Sequence, residues 1–542
     1  MSKRRSAAAT HARVPPPQSR RPLSRRAGLA LAGMLATVFF AQGLVGSLDE
    51  SLTWDEPIYV ASGFSYLTRG DFRLNPEAPP LIQQLVGLPL LFLGAPTPRD
   101  DDPAWRDARQ IEFGKQLLFR SGLDVRQAAL WCRLPVLLLG ATLVLMIYLW
   151  GSQIFGPAPA LVAATVAAVE PNLLAHAKVA TVDLGCTTLM FAAVWTLWRA
   201  VQSNRAREWA LCGACTGLAL LAKFTALLLG PIFAVLFAAA WFRRRHEWQP
   251  LTVLRNVAIL AATGWFVIGS GYHLSFDGSL FMRGVGTVYT KMSPDYQFYL
   301  LGEISHRPWW YYYLVAFVLK VPLPVLGLLA FAAALVARDR SRSEAALFLL
   351  VPAAVVIGTS TFNRYNMGLR HILPAFPFLF LFAAETLAGR PRRWRIGLTC
   401  LLLAWTLLEA VRTYPHHLSY FNTLAGGPGR GPYLLDDSNI DWGQDLPALA
   451  RWQEEHTNGT PLRLFYFGTA DPAAYGVDSV PMAMDEIEHP RAGLYAVSAH
   501  ILVYFRKRGT RLGRNLDWLT KYEPIARAGH SIYVYRFPAT GG

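Results

Sequence analysis

The sequence predicts a polytopic α-helical membrane protein of about 11 transmembrane helices with a small C-terminal α/β extracytoplasmic domain. Of the 542 residues, 53% are hydrophobic and only 16% are charged, whereas roughly 25% of a soluble protein is charged. Long apolar runs recur up to about residue 412, and about 20 such residues span a bilayer. Beyond that point the composition is that of a soluble domain. This excludes a secreted soluble enzyme and a disordered scaffold.

The apolar runs define the expected spans. Residues 1–26 contain many Lys and Arg and no acidic residue, and the apolar run that follows is too long for a signal peptide core. We therefore expect a basic cytoplasmic N-terminal segment followed by a first span. The expected spans are 27–47, 133–151, 157–171, 182–200, 208–222, 224–241, 254–272, 309–336, 345–361, 371–388 and 395–412.

Arginine clusters set the orientation of these spans. They lie at 205–207, 243–245, 338–342 and 390–395, and such clusters favour the cytoplasmic side. Alternating the spans then places the loop 48–132 and the tail 413–542 outside. The tail holds 12 basic and 13 acidic residues, so the net charge of +16 belongs to the membrane portion. The basic excess therefore indicates topology rather than nucleic-acid binding.

Smaller features of the membrane portion have structural interpretations. The short apolar stretch 80–94 is expected to lie at the membrane interface. The aromatic run 309–313 indicates an interfacial belt, with sugar stacking as the alternative. The five cysteines all lie in or beside apolar runs, which predicts no disulfide framework. We expect neither a metal nor a cofactor.

The tail reads as an α/β domain. Strands are expected at 462–467, 494–499 and 531–537, and a helix at 445–455. The acidic run 436–445 lacks the glycine and the final Glu of an EF-hand, so it is interpreted as a cap before that helix.

Chemistry is expected first at Asp55 and Glu56, which follow the first span by a few residues. Adjacent side chains diverge, so the pair alone is more typical of a solvated loop. Further motifs give the pair a context: Arg69-Gly70-Asp71, Pro79-Pro80-Leu81, Arg133-Leu134-Pro135, Thr181-Val182-Asp183, the run from Gly217 to Lys223, and Gly368-Leu369-Arg370-His371.

With these motifs, residues 1–412 resemble the polyprenyl-phosphate-dependent glycosyltransferases of the GT-C fold. The nearest groups are the protein O-mannosyltransferases and the lipid A aminoarabinose transferases, which are glycosyltransferase family 39-like. The resemblance implies a membrane glycosyltransferase that takes a sugar from a polyprenyl-phosphate donor. It implies Asp55 as the general base that deprotonates a lipid or protein acceptor, with Glu56 in a supporting catalytic role. It also implies a bacterial cytoplasmic (inner) membrane location.

The residue before Pro79-Pro80 is often Lys or His in these families, but here it is Ala78, preceded by Glu77. The contact to the donor phosphate must therefore come from elsewhere. The substrate-binding candidates are Asp183, Lys223, Arg370, His371, Arg69 and Glu77. For Lys223 the alternative is a snorkelling side chain, for Arg370 and His371 an interfacial anchor, and for Asp183 a helix cap.

Two other functional classes remain open. A secondary transporter or flippase of lipid-linked sugars would place its polar residues near mid-span and often shows two matching halves. Here the distinctive charges cluster at the outer ends of the spans. An inactive relative would have lost Asp55 or Arg370. The sugar, the acceptor and the length of the polyprenyl chain are not encoded in any motif that we recognise.

Overall fold

The computed structural model describes residues 23–244, 249–290, 296–339, 343–362 and 366–538. The basic residues 1–22 lie outside these ranges. So do Arg245, Arg340 and Arg342 of the expected cytoplasmic clusters.

The membrane portion is helical. Its first eleven helices are α1 Arg25–Leu48, α2 Glu56–Arg69, α3 Pro80–Gly87, α4 Pro103–Arg106, α5 Gln110–Phe119, α6 Val125–Ile154, α7 Pro157–Val169, α8 Pro171–Ala177, α9 Val182–Ser203, α10 Ala206–Ala222 and α11 Leu229–Arg244. They are followed by α12 Pro250–Gly271, α13 Ser279–Thr290, the hairpin strands β1 Phe298–Leu300 and β2 Glu303–Ser305, then α14 Tyr312–Lys320, α15 Leu323–Arg338, α16 Ser343–Ser360, α17 Phe376–Ala383 and α18 Arg393–Thr413.

Within the described residues, six helices are long and apolar enough to cross a membrane. The number rises to eight if each of two bent pairs forms one span. The polytopic helical class is therefore confirmed, whereas the count of about 11 stays a prediction. The six are Arg25–Leu48, Val125–Ile154, Val182–Ser203, Phe224–Arg243, Pro250–Gly271 and Arg393–Thr413.

Two of the expected spans are not continuous straight helices. The segment 309–336 is broken into α14 and α15, which are bent by 111°. Val321 precedes Pro322 and is extended, with ψ 135°. A residue before proline disfavours the helical conformation, so α14 ends at Lys320. The tenth expected span is also irregular, because 3-10 turns at Leu369–Ala375 and Ala384–Leu387 flank the short α17.

The tail forms the expected α/β unit. Its elements are α19 Gly431–Leu434, α20 Leu446–His456, β3 Leu462–Phe465, β4 Ser479–Pro481, β5 Gly493–Ser498, α21 Ala499–Leu512, α22 Trp518–Lys521, β6 Ala526–Ala528 and β7 Ile532–Phe537. The sheet order is β4-β3-β5-β7-β6. The pairs with β3 are parallel and those with β7 antiparallel. The three expected strands and the helix are confirmed, and β4 and β6 add two short edge strands.

The tail is joined to the loop between α1 and α2. The Ser51 backbone N–H donates to the Gln444 carbonyl and the Trp54 N–H to the Trp442 carbonyl, each at 2.9 Å. The Ser51 hydroxyl donates to the Gly443 carbonyl at 2.7 Å. The C-terminal domain therefore lies at the end of the helices where α1 finishes and α2 begins.

Candidate active site

Asp55 stands at the N-terminal boundary of α2, but its side chain makes no capping hydrogen bond to that helix. Its Oδ2 instead accepts a hydrogen bond from Arg370 Nη1 at 2.9 Å. The two side chains are 21% and 12% exposed, so the pair is largely withdrawn from solvent and still reachable.

A second ion pair lies beside the first. Asp183 is in the first turn of α9, and Lys223 is the residue at which α10 ends. Lys223 Nζ contacts Asp183 Oδ1 at 2.5 Å, and Arg370 Nη1 is 3.9 Å from Asp183 Oδ2. Four of the sequence-predicted residues thus form one cluster, which we call the Asp55–Lys223 cluster: Asp55, Asp183, Lys223 and Arg370. The Asp183 side chain contacts Lys223 and lies near Arg370 rather than capping α9.

Glycine is required where Arg370 enters the cluster. Gly368 has a φ of +96°, and a Cβ added there would lie 2.2 Å from the Ser438 hydroxyl oxygen. The Leu369 N–H donates to the Asn439 side-chain oxygen at 3.0 Å. The turn that carries Arg370 is therefore fixed by the C-terminal domain.

The electrostatics of the cluster suit a base. Burial raises the pKa of Asp55, the Arg370 guanidinium lowers it in part, and the charges of Asp437 and Asp183 raise it again. Burial also raises the pKa of Tyr59, one turn along α2, and the charges of Asp55 and Asp183 raise it further. Asp55 is therefore a better proton acceptor than an exposed aspartate.

Trp442 covers one face of the Arg370 guanidinium. The guanidinium carbon lies 4.3 Å from the centroid of the Trp442 ring, a cation–π contact with the C-terminal domain. Within the described part of the chain, the buried Nε of Arg370 has no hydrogen-bond partner. A buried donor left unpaired is costly, so this N–H is available for a ligand oxygen.

Glu56 is buried in an ion pair with Arg133, away from the contacts of Asp55. Its Oε1 accepts from Arg133 Nε and the Ala180 N–H, both at 2.8 Å. Its Oε2 accepts from Arg133 Nη2 at 2.9 Å and from the Thr53 N–H at 2.7 Å. Both side chains are 0% exposed, so Glu56 has no free face for a substrate. These contacts tie the start of α2 to α6 and to the segment that precedes α9.

Three further candidates have different placements. His371 follows Arg370 in the same 3-10 turn. Its ring packs against the Tyr313 ring, with the two ring centroids 6.2 Å apart. Arg69 is at the far end of α2, about 20 Å along the helix from Asp55, and pairs with Asp100. This distance separates Arg69 from the cluster, and a substrate contact of Arg69 stays a prediction. Glu77 lines a groove formed with residues of α5 and α13, and its charge raises the pKa of Tyr59.

The acidic run 436–445 was missed as part of the site. Trp442 covers Arg370, and Asp437 acts electrostatically on Asp55 and Arg370. The run ends at Asp445, the N-cap position of α20, as expected, but the Asp445 side chain makes no capping hydrogen bond to that helix. Asp445 Oδ2 accepts from the backbone N–H groups of His530 and Ser531, each at 3.0 Å. The signal in the sequence was the density of polar residues, which did not reveal their partners.

The aromatic run 309–313 is also only partly an exposed belt. Trp310 is exposed, but Tyr312 and Tyr313 are buried. The Tyr312 hydroxyl accepts a hydrogen bond from the Gly368 N–H at 3.1 Å. This bond helps to fix the turn that carries Arg370. Among the residues that the structure describes, no group of three or more His, Cys, Asp or Glu could hold a metal ion.

Part of the chain matches a known protein family. Residues 122–265 match the family model described as "Dolichyl-phosphate-mannose-protein mannosyltransferase". The matched segment contains Arg133, Asp183 and Lys223, and it confirms the resemblance over that range. No curated protein sequence matches the chain.

Several solved structures have a backbone path similar to that of this chain, among them three glycosyltransferases. ArnT from Cupriavidus metallidurans in the apo state is 15% identical with a TM-score of 0.47, covering 94% of this chain and 98% of that chain. AglB from Archaeoglobus fulgidus, solved with an inhibitory peptide and a dolichol-phosphate, is 10% identical with a TM-score of 0.49, covering 94% and 74%. The S. cerevisiae Pmt1-Pmt2 complex bound to the sugar donor is 14% identical with a TM-score of 0.36, covering 52% and 39%.

The fold and the cluster together define a polytopic helical membrane protein with paired charges near the helix ends and a C-terminal α/β domain. Over residues 122–265 this protein is similar in sequence to the dolichyl-phosphate-mannose-protein mannosyltransferases.

Proposed function

We propose that this protein is a membrane glycosyltransferase that moves a sugar from a polyprenyl-phosphate donor to an acceptor at the outer face of the bacterial cytoplasmic membrane. The observation that carries the proposal is the Asp55–Lys223 cluster, in which two carboxylates and two cations from four separate elements meet. The family match, with its dolichyl-phosphate donor, supports the donor class. The outer-face location rests on the distribution of the arginine clusters.

Asp55 is the general base of this proposal. It removes the proton from the acceptor hydroxyl, whose oxygen attacks the anomeric carbon of the donor. The bond between that carbon and the phosphate oxygen breaks, and its electron pair leaves with the polyprenyl phosphate. The configuration at the anomeric carbon is inverted. The raised pKa of Asp55 favours this proton transfer, because a stronger base shares more of the proton in the transition state.

The two cations stabilise the leaving group. The donor phosphate carries one negative charge before transfer and gains a second as the bond breaks. Lys223 and Arg370 can contact this phosphate, and such fixed charges are most effective where water is excluded. Arg is suited to bidentate phosphate binding, and its unpaired Nε supplies a further donor.

Proton transfer and charge development compensate each other in this arrangement. As Asp55 takes the proton it becomes neutral, and Arg370 loses its anionic partner. At the same time the phosphate becomes more negative, so Arg370 can move its hydrogen bonds to it. The net charge inside the site is therefore constant through the reaction, which avoids the cost of creating an unpaired buried charge.

The test uses a strain that lacks the gene, with lipids and glycans analysed by mass spectrometry. We expect a polyprenyl-phosphate sugar to accumulate and one glycan modification to disappear. Wild-type protein should reverse both effects, and Asp55→Asn protein present at equal level should reverse neither. Unchanged polyprenyl-phosphate sugars and unchanged glycans in the deletion strain would contradict the proposal.

A further inference from the structure

A small cavity lies where the C-terminal end of α18 meets the C-terminal domain. Its volume is about 170 Å³. An ordered water needs about 10–15 Å³, so the cavity has room for a polar group of several heavy atoms. We call it the α18 cavity, and its polar lining consists mainly of Glu409, Arg412, His416, Tyr420, Asn422 and His530.

Glu409 brings a buried carboxylate to the wall of this cavity. The residue is 5% exposed, and its Oε2 accepts a hydrogen bond from the Tyr420 hydroxyl. Over the ranges that the structure describes, the buried Oε1 has no hydrogen-bond partner. A buried carboxylate oxygen without a partner is costly, so Oε1 is available to a donor that enters the cavity.

Arg412 supplies a charge of the opposite sign. It is exposed, lies three residues after Glu409 on the same helix, and forms no ion pair with any residue that the structure describes. His416 and His530 line the same cavity, with their ring centroids 4.9 Å apart, and their ring N–H groups can donate to an anion. The lining thus combines an acceptor for a cationic group with donors for an anionic group, which fits a zwitterionic ligand.

An apolar stripe of α18 leads away from the cavity. Leu408, Trp405 and Leu401 lie four, seven and eleven residues before Arg412, a spacing that places all of them on one face of the helix. All three side chains are exposed, and α18 is long and apolar enough to cross a membrane. Acyl chains can therefore cover this stripe while a headgroup occupies the cavity above it.

We propose that the α18 cavity binds the headgroup of a membrane phospholipid that carries a primary ammonium, the chemistry of phosphatidylethanolamine. The ammonium N–H groups donate to Glu409 Oε1, and Arg412 contacts the phosphate together with the two histidines. A trimethylammonium headgroup has no N–H to donate and would leave Oε1 without a partner. The bound lipid joins α18 to the C-terminal domain through His530. None of these residues belongs to the Asp55–Lys223 cluster, so this site is independent of the proposed function.

The test measures the binding of single lipids to the purified full-length protein by native mass spectrometry. Wild type and variants are titrated with phosphatidylethanolamine and with phosphatidylcholine of the same acyl chains. We expect the wild type to bind one phosphatidylethanolamine at least about tenfold more tightly than phosphatidylcholine, because only the former makes the charge-assisted hydrogen bond to Glu409. Equal affinity of the wild type for the two lipids would overturn the assignment.

Three variants separate the contributions of the two charges. Glu409→Gln should abolish the preference for phosphatidylethanolamine, whereas Arg412→Gln should weaken the binding of both lipids about tenfold and retain the preference. Arg412 is exposed, so its replacement disturbs no core packing. The control is Arg393→Gln, an exposed arginine at the opposite end of α18 and outside the cavity, which should match the wild type. Wild-type binding of both lipids by Arg412→Gln, or a retained preference in Glu409→Gln, would contradict the proposal.

A further arm separates a lipid from a soluble ligand of the same chemistry. Free phosphoethanolamine carries the same ammonium and phosphate but no acyl chains. We expect it to bind the wild type at least about tenfold more weakly than the lipid, because it cannot cover the apolar stripe of α18. Equal affinity would show that the cavity takes a soluble phosphorylated amine and that the lipid assignment is wrong.

Discussion

Replacing Arg370 by Gln removes the positive charge that lowers the pKa of Asp55 and leaves a shorter, uncharged polar side chain. Burial and the charges of Asp437 and Asp183 then act on Asp55 without opposition, so its pKa rises. An opposite charge within about 4–6 Å shifts a carboxyl pKa by about 1–3 units. Arg370 Nη1 is 2.9 Å from Asp55 Oδ2, but the side chains are 12% and 21% exposed. Solvent screening therefore reduces the expected rise in the pKa of Asp55 but does not abolish it, because both side chains are largely withdrawn from solvent.

The assay is the pH dependence of kcat/KM for sugar transfer, which reports the free enzyme. A base must be deprotonated, so kcat/KM falls as the pH drops through the pKa of Asp55. In Arg370→Gln the midpoint of this acid limb should move to higher pH. The midpoint pH of the acid limb does not depend on the absolute value of kcat/KM. A general loss of activity from weaker phosphate binding therefore does not obscure it.

Two matched variants test the direction in which the pKa of Asp55 changes. Asp183→Asn removes a charge that raises the pKa of Asp55, so its acid limb should move to lower pH. Arg370→Lys keeps the positive charge, so its limb should stay near that of the wild type even though the forked geometry is lost. An acid limb that does not move in Arg370→Gln, or one that moves in the same direction in Arg370→Gln and Asp183→Asn, would refute Asp55 as the base.

Three other predictions concern the residues around Asp55. Trp442→Ala should lower kcat/KM by up to about thirtyfold because Arg370 loses its cation–π contact, whereas Trp442→Phe keeps an aromatic face and should stay within a few-fold of the wild type. Glu56→Gln should lower the free energy of unfolding by about 3–5 kcal/mol, because it leaves the Arg133 charge buried without its partner; unfolding in denaturant measures this, and unchanged stability would argue against a positioning role. Lys223→Gln should weaken undecaprenyl phosphate binding at least about tenfold in a calorimetric titration, and wild-type affinity would remove Lys223 from the phosphate site.

The elements that the sequence predicted well are those with a local signal. Apolar length marks helices such as α1 and α9, and short runs rich in β-branched and aromatic residues mark β5 and β7. The break between α14 and α15 was missed because both halves are apolar, although Pro322 and Pro324 mark where the chain turns. The irregular segment around α17 was missed for a similar reason, since hydropathy does not distinguish a 3-10 turn from an α-helix.

The candidate site was predictable in its members and less so in its pairing. Asp55, Asp183, Lys223 and Arg370 stood out as charges at the ends of apolar runs, where a charge is costly and usually functional. That Asp55 contacts Arg370 could not be derived, because the two residues are 315 positions apart and only the tertiary fold unites them. The contribution of Trp442 was invisible for the same reason.

Glu56 shows the limit of a motif. The sequence presents Asp55 and Glu56 as equals, but adjacent side chains at a helix start point in different directions. One faces the cluster and the other faces Arg133 in the interior. Only the partners of each carboxylate separate a base from a positioning residue.

Sugar transfer by purified protein tests the central claim most directly. The polyprenyl-phosphate sugar that accumulates in the deletion strain is isolated and supplied, with acceptor-containing membranes from the same strain, to wild-type and Asp55→Asn protein. Release of polyprenyl phosphate, sugar transfer and donor binding are measured in parallel. The wild type should transfer the sugar, and Asp55→Asn should be slower by about 10²–10⁴ while binding the donor within a few-fold of the wild-type affinity. Turnover by Asp55→Asn at the wild-type rate, or a wild type that binds the donor and transfers nothing, would contradict the account.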